Sequence, residues 1–173
     1  MKPSVTQLIG LLDKPALMKW ANRIGLEGTT LDEYRQKSMA KGTSMHNQIE
    51  QHIKNKTPFE DKNLGLGFLN FFTDKKIIEC EKKVECDYFN GRLDLIMEFD
   101  SRKYLCDFKS KQGHIYFENK LQLSAYRMCE PCDDVCIISI PDFRVLTIDI
   151  VDYTPYEEIL KSLSNIYKLK QGL

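Results

Sequence analysis

The chain has 173 residues, with 25 acidic and 25 basic side chains and a formal net charge of zero. That length suits a single domain with a real core, and the balanced charge excludes a globally basic nucleic-acid binder, so any anion-binding surface must be local. No apolar run approaches the roughly 20 residues of a membrane span and no signal-peptide core opens the chain, which predicts an intracellular, cytoplasmic protein with reduced cysteines and no membrane partner.

In chain order, residues 4–13 (SVTQLIGLLD) predict a short helix. Asp13 with Pro15 opens a second, since proline is tolerated in a first helical turn, and Leu17, Trp20, Ala21 and Ile24 share one face of it. Thr30 and Glu33 match a capping box for a third helix, which Gly42 is expected to end. Thr43 or Ser44 then caps a helix with Met45, Ile49 and Ile53 inward, and His46 and Glu50 lie four residues apart on its flank. An isolated pair of this kind reads first as the polar shoulder of an amphipathic helix, although neutral imidazole is also a metal ligand. Thr57 and Glu60 suggest a cap for a helix carrying Leu64, Phe68, Phe71 and Phe72, weakened by Gly65 and Gly67.

The pattern then turns to strands. Ile77 to Glu81 and Val84 to Phe89 read as short strands, with Asn90-Gly91 as a turn signal. From Gly91 to Lys111 the run GRLDLIMEFDSRKYLCDFKSK reads as a β-hairpin. With Asp100-Ser101 as its turn, Asp94 falls opposite Asp107, Arg92 opposite Lys109 and Ile96 opposite Leu105. The alternate positions, Leu93, Leu95, Met97, Phe99, Tyr104, Cys106 and Phe108, form an apolar face, so one face of the sheet is expected on a core. Like charges directly opposed across two strands are destabilising. Two facing aspartates therefore suggest a cation such as Mg²⁺ or Mn²⁺, and Lys109 on the same face could orient or deprotonate an attacking water or stabilise charge on a phosphate. The alternative is a solvated sheet face with alternating charges. Glu79 or Glu85 could add a carboxylate, although each reads first as a solvent-facing strand residue.

After Gly113 the period returns to helical, with Phe117, Leu121, Ala125 and Met128 as the buried stripe and Gln122 and Tyr126 on its flank. Val135 to Ile140 and Val145 to Ile150 are strand-like, joined at Pro141-Asp142. Thr154-Pro155 starts a last helix with Ile159, Leu160, Leu163 and Ile166 inward. The order predicts an α/β fold without repeats. Cys129, Cys132 and Cys136 have a spacing that can hold zinc or an iron–sulfur cluster, but four thiolates are usual and Cys136 falls in a strand.

Four segments in this order carry a resemblance: GTSMHNQIE around His46, GRLDLI ending at Ile96, DFKSK from Asp107 to Lys111, and QLSAY from Gln122 to Tyr126. Together they resemble the PD-(D/E)XK nuclease superfamily, in the RecB-type exonuclease branch that includes phage exonucleases and the mitochondrial genome-maintenance exonuclease. The amino-terminal LLDKPALMKWA resembles the opening of such phage proteins, and the likeness runs from residue 4 to about residue 150.

The resemblance implies a mixed central β-sheet flanked by helices, in one nuclease domain over 1–173. Its amino-terminal helical region (1–75) would arch over the site, and 76–173 would form the catalytic α/β core. Asp94 and Asp107 would bind Mg²⁺ or Mn²⁺ with the backbone carbonyl of Phe108, His46 would be a further ligand, and Lys109 the catalytic lysine. Glu50 would support the site through water, Gln122 and Tyr126 would hold the substrate backbone, and Lys111, Lys120 and Arg127 are candidate phosphate contacts. Tyr116 could stack a base. Related nucleases with iron–sulfur clusters place a cysteine upstream of the histidine; here none precedes Cys80, so no such cluster is expected.

The implied activity is metal-dependent DNA exonuclease action on single-stranded ends, in recombination, repair or phage genome processing, with a recombination or replication protein as a further partner. The alternatives are a structure-specific or restriction-type endonuclease, a non-catalytic DNA-end binder on the same scaffold, and a cysteine-cluster redox module.

Overall fold

Local capping chemistry sets where the first elements begin. Ser4 starts α1 (Val5–Ile9) through a reciprocal capping box with Gln7, and α2 follows over Pro15–Leu26. The structure, a computed structural model, describes residues 2–13, 15–28, 30–110 and 113–172, with the side chains at 15–17, 31, 34, 35, 37–39 and 41 not described. On α2, Ile24 is buried and Trp20 and Ala21 are half-buried, as their shared face predicts; the Leu17 side chain lies outside the described set.

The Thr30–Glu33 capping box opens α3, but Gly42 does not close it: the helix runs unbroken for 25 residues, Leu31–Asn55. Glycine inside a helix costs about 1 kcal/mol relative to alanine, and this one faces a strand end, where a Cβ would stand 3.0 Å from Ser110 Oγ, the end of a side chain that can turn aside. The next helix, α4 (Lys62–Phe71), starts later than the Thr57–Glu60 pair suggests. Asp61 is its cap, accepting from the amides of Asn63 and Leu64. Gln48 Oε1 accepts both the Glu60 and Asp61 amides, tying that segment to α3 before the helix can begin.

The two short strands expected before the hairpin are one strand, β1 (Lys76–Glu85), with a register shift between Ile77 and Glu79. Asn90-Gly91 is not a turn: it opens β2 (Asn90–Phe99), and the reversal lies at 86–89, closed by the Cys86 amide on the Phe89 carbonyl. Asp100 and Ser101 both have left-handed backbone, φ 51° and 59°. Two-residue hairpin turns of type I′ need positive φ at both positions, and this turn leads into β3 (Arg102–Ser110). The pairs Leu95 with Cys106 through Phe99 with Arg102 match the register read from the sequence.

A crossover helix, α5 (Phe117–Cys129), carries the chain to β4 (Asp134–Ile140), parallel to β3. Parallel neighbours need such a connection. Strand β5 (Arg144–Thr147) is shorter than expected, and α6 (Thr154–Lys170) ends the fold. The five strands lie in chain order, all neighbours antiparallel except β3 and β4. The architecture is α/β: a mixed, open sheet flanked by helices.

Both faces of the sheet are covered, not one. Ile96, Leu105, Val135 and Ile137 pack with α1, α5 and α6, while Leu95, Met97, Cys106, Phe108 and Ile138 pack with α3 and α4 through Met45, Ile49, Leu64 and Phe68. Leu8 and Val5 of α1 belong to the first of these cores, so the earliest helix is built into the sheet's support. Phe117 and Ile166, expected inward, are exposed, whereas Leu121, Ala125, Leu160 and Leu163 are buried. No helix among the described residues is long and apolar enough to cross a membrane.

Candidate metal centre

The β2–β3 ladder stops at the pair Leu95–Cys106. One step further, where the same count sets Asp94 against Asp107, the Asp94 carboxylate accepts the Phe108 amide at 2.8 Å. The strands open there into a notch that helices enter from both faces. From α3 comes His46, its Nδ1 3.7 Å from Asp94 Oδ2 and its ring edge-on to Phe108. From α5 comes Gln122, whose amide nitrogen donates to Asp107 Oδ1 at 2.9 Å and whose carbonyl oxygen accepts from Lys109 Nζ at 3.1 Å.

Tyr126, one helical turn along, accepts a second hydrogen bond from Gln122 at 2.9 Å and is almost wholly buried. Its ring explains Gly91: a Cβ there would meet Tyr126 at 3.1 Å and Val5 at 3.2 Å. The Lys109 ammonium lies 2.6 Å from Asp107 Oδ2. That oxygen is fully buried yet receives no hydrogen bond of acceptable angle, so the pair is held by charge.

The surroundings tune each group. Burial lowers the His46 pKa, against the pull of the Asp107 charge, so the imidazole is neutral and able to ligate at neutral pH. Burial, then the neighbouring Asp107 charge, raises Asp94 well above the ordinary carboxylate value. At Lys109 burial works to lower the pKa, but the charge of Asp107 beside it, with help from Asp94, outweighs it and the net shift is upward. Burial and the Asp107 charge push the Tyr126 phenol up, keeping its proton on.

Among the described His, Cys, Asp and Glu side chains, the set converging for one ion is His46, Asp94 and Glu81, with ligand atoms within 4.8 Å of one another. The sequence pattern does not single out Glu81. Pairing passes from Cys80–Leu95 to Lys82–Leu93, which leaves Glu81 across from Asp94. Centring the β1–β2 turn on Asp87-Tyr88 instead of Asn90-Gly91 would have found it. Glu79 and Glu85 are elsewhere, paired with Lys82 at 3.4 Å and Lys2 at 2.5 Å.

Arg92, expected opposite Lys109, instead contacts Glu81 at 2.6 Å. Glu50 pairs with Lys54 at 2.6 Å; burial raises the Glu81 pKa against the pull of the Arg92 charge, and the Glu50 charge adds to the rise. Arg127 stacks over Tyr153, with 4.2 Å between its guanidinium carbon and the ring centroid, and Tyr116 lies edge-on to His114 at the start of α5. Lys111 lies outside the described residues. The cysteine trio is divided by the sheet: Cys129 and Cys132 border the core under α5 and α6, while Cys136 is in the core under α3, 3.3 Å from Cys106.

No family model matches the chain, and no curated protein does. Among solved structures, the crystal structure of SSO0001 superposes with a TM-score of 0.49 at 14% identity, over 95% of this chain and 76% of that one.

Proposed function

We propose that this chain is a Mg²⁺- or Mn²⁺-dependent deoxyribonuclease, an exonuclease acting on DNA ends. The observation that supports it best is the joining of Lys109, Asp107, Gln122 and Tyr126 in one hydrogen-bonded and charged chain beside His46 and Asp94. These residues come from four separate elements, and solubility alone would not require them to meet.

The donors suit such an ion. Carboxylate oxygens with one imidazole match Mg²⁺ and Mn²⁺, and the buried Asp107 Oδ2, 2.6 Å from the Lys109 ammonium, already has positive charge drawn to it. Asp94, Asp107 and His46 would hold the ion, with the Phe108 carbonyl as a further oxygen. Bound there, a divalent ion would supply charge to a phosphoryl oxygen and make water a better nucleophile.

Lys109, with its raised pKa, keeps its proton at neutral pH. Its ammonium is placed to stabilise negative charge growing on the phosphate. Gln122 fixes both ends of the Lys109–Asp107 pair. Tyr126, also protonated, has a hydroxyl hydrogen to offer a phosphate oxygen. The choice of DNA, and of free ends, rests on the resemblance to RecB-type exonucleases.

The test is digestion of single- and double-stranded DNAs labelled at either end, with Mg²⁺, Mn²⁺ or EDTA, beside Asp107→Ala and Lys109→Ala. Metal-dependent shortening from an end, lost in both variants, is expected. Cutting of a closed single-stranded circle would move the assignment to an endonuclease. End binding without cleavage in any metal would move it to a non-catalytic binder.

A further inference from the structure

The ligand set drawn from the motifs leaves out a carboxylate that reaches the same place from the edge strand. Glu81 is 12% exposed in its side chain, while Arg92, which holds its Oε2 through Nε at 2.6 Å, is 62% exposed. An arginine so open to solvent is a weak reason to bury a carboxylate beside others. The backbone of Glu81 is also left-handed, φ 54°, a conformation unfavourable for a residue with a side chain and kept only where the surroundings impose it.

Charge around the notch does not balance. Glu50, Glu81, Asp94 and Asp107 bring four carboxylates, against three cations paired with them, Lys54, Arg92 and Lys109. Asp107, 2% exposed, is a buried acid beside the others, its Oδ2 2.6 Å from the Lys109 ammonium.

We propose that Glu81 is a protein ligand to the divalent ion, completing a set with His46 and Asp94 and exchanging its bond to Arg92 for one to the metal. This rests on the metal-dependent reading of the site. Arg92 Nε occupies Oε2 of a carboxylate that has two oxygens, and the Glu81 ligand atom already lies within 4.8 Å of those of His46 and Asp94. The exchange needs no change of fold. It makes Arg92 a competitor of the metal, so the two members of one ion pair have opposite effects on metal affinity.

The experiment is Mn²⁺ titration of the full chain without DNA, by calorimetry and by the electron paramagnetic resonance of free Mn²⁺, with thermal melts to verify folding. Glu81→Gln is expected to weaken Mn²⁺ binding by about tenfold or more, the range for loss of groups around a metal, while Arg92→Ala binds as tightly as the parent or more tightly. If Glu81→Gln binds like the parent while Asp94→Asn does not, the proposal is overturned and the metal-dependent reading stands. If Glu81→Gln and Arg92→Ala weaken binding alike, the pair is only structural and the proposal is again overturned. If the parent binds no Mn²⁺, both the proposal and the metal-dependent reading fall.

Discussion

The Asp94 carboxylate accepts the Phe108 amide hydrogen at 2.8 Å, one step beyond the last pair of the β2–β3 ladder. The strands part at the point where a side chain replaces a backbone acceptor, and the acid is fixed there despite its surroundings. Its raised pKa means that its charge is unfavourable in the fold. The stability tied to that proton is fully present below the unfolded value of about 3.9 and is lost as pH rises through the raised folded value.

Asp94→Asn keeps an acceptor for Phe108 and removes the charge. In EDTA at pH 7 this variant should be more stable than the parent, with the difference gone below about pH 4. Melting curves with and without Mn²⁺ check it. The parent should gain stability from the ion and the variant should not; a variant less stable than the parent in EDTA would contradict the charge argument.

Gln122 is the joint between lysine, aspartate and tyrosine. Gln122→Ala removes the donor to Asp107 Oδ1 and frees Lys109 from its lateral tether. Single-turnover cleavage should fall by about tenfold to a hundredfold, as for groups that orient a metal site from behind, with DNA affinity little changed. Tyr126→Phe keeps the buried ring and loses one acceptor, so its effect should be smaller. A larger loss in Tyr126→Phe would make the phenol the more important group.

The hairpin was legible because Asp100-Ser101 sits at the centre of an alternating pattern, and that one turn sets the register that opposes Asp94 and Asp107. His46, Gln122 and Tyr126 could be placed on helix flanks from spacing, but their meeting came only from the motif resemblance, since periodicity says nothing of which helix covers which end of a sheet. Glu81 escaped because a one-turn error between β1 and β2 changes every cross-strand partner. Gly42 misled for another reason: local propensity stops a helix there, and packing of the interior against Ser110 and the sheet carries it on. Leu95, Met97, Cys106 and Phe108 form a buried face as the alternation predicts, but Leu93 joins the opposite core and Phe99 is exposed, and Ile96 and Leu105 among the acids already hinted at that second core.

Two of the helix glycines, Gly42 and Gly67, should respond oppositely to the same substitution. At Gly42 the nearest atom to an added Cβ is the Ser110 hydroxyl, 3.0 Å away, which can turn aside. Gly42→Ala should therefore gain up to about 1 kcal/mol from helix propensity. At Gly67 the added Cβ would stand 2.6 Å from the Pro141 carbonyl oxygen and 2.8 Å from the Phe143 ring. Backbone cannot turn aside, so Gly67→Ala should lose about 1–3 kcal/mol by overpacking. Urea unfolding of both variants decides it, and equal signs would show that the contacts do not control the outcome.

On the proposed metal-dependent reading, a change at Lys109 should separate metal binding from cleavage. Its ammonium is 2.6 Å from Asp107 Oδ2, so in the metal-free protein it supplies the positive charge that an ion would bring. Lys109→Met keeps much of the side chain's length and removes that charge, leaving Asp94 and Asp107 with less to offset their repulsion. Mn²⁺ should then bind at least as tightly as in the parent, because a competing cation is gone. Cleavage should fall by about a hundredfold to a thousandfold, the usual loss when a group stabilising transition-state charge is deleted. Calorimetry with Mn²⁺ alone and single-turnover digestion at saturating Mn²⁺ give the two readouts. Tight binding with slow cleavage would assign Lys109 to the phosphate, whereas loss of Mn²⁺ binding would make it a structural support for Asp107.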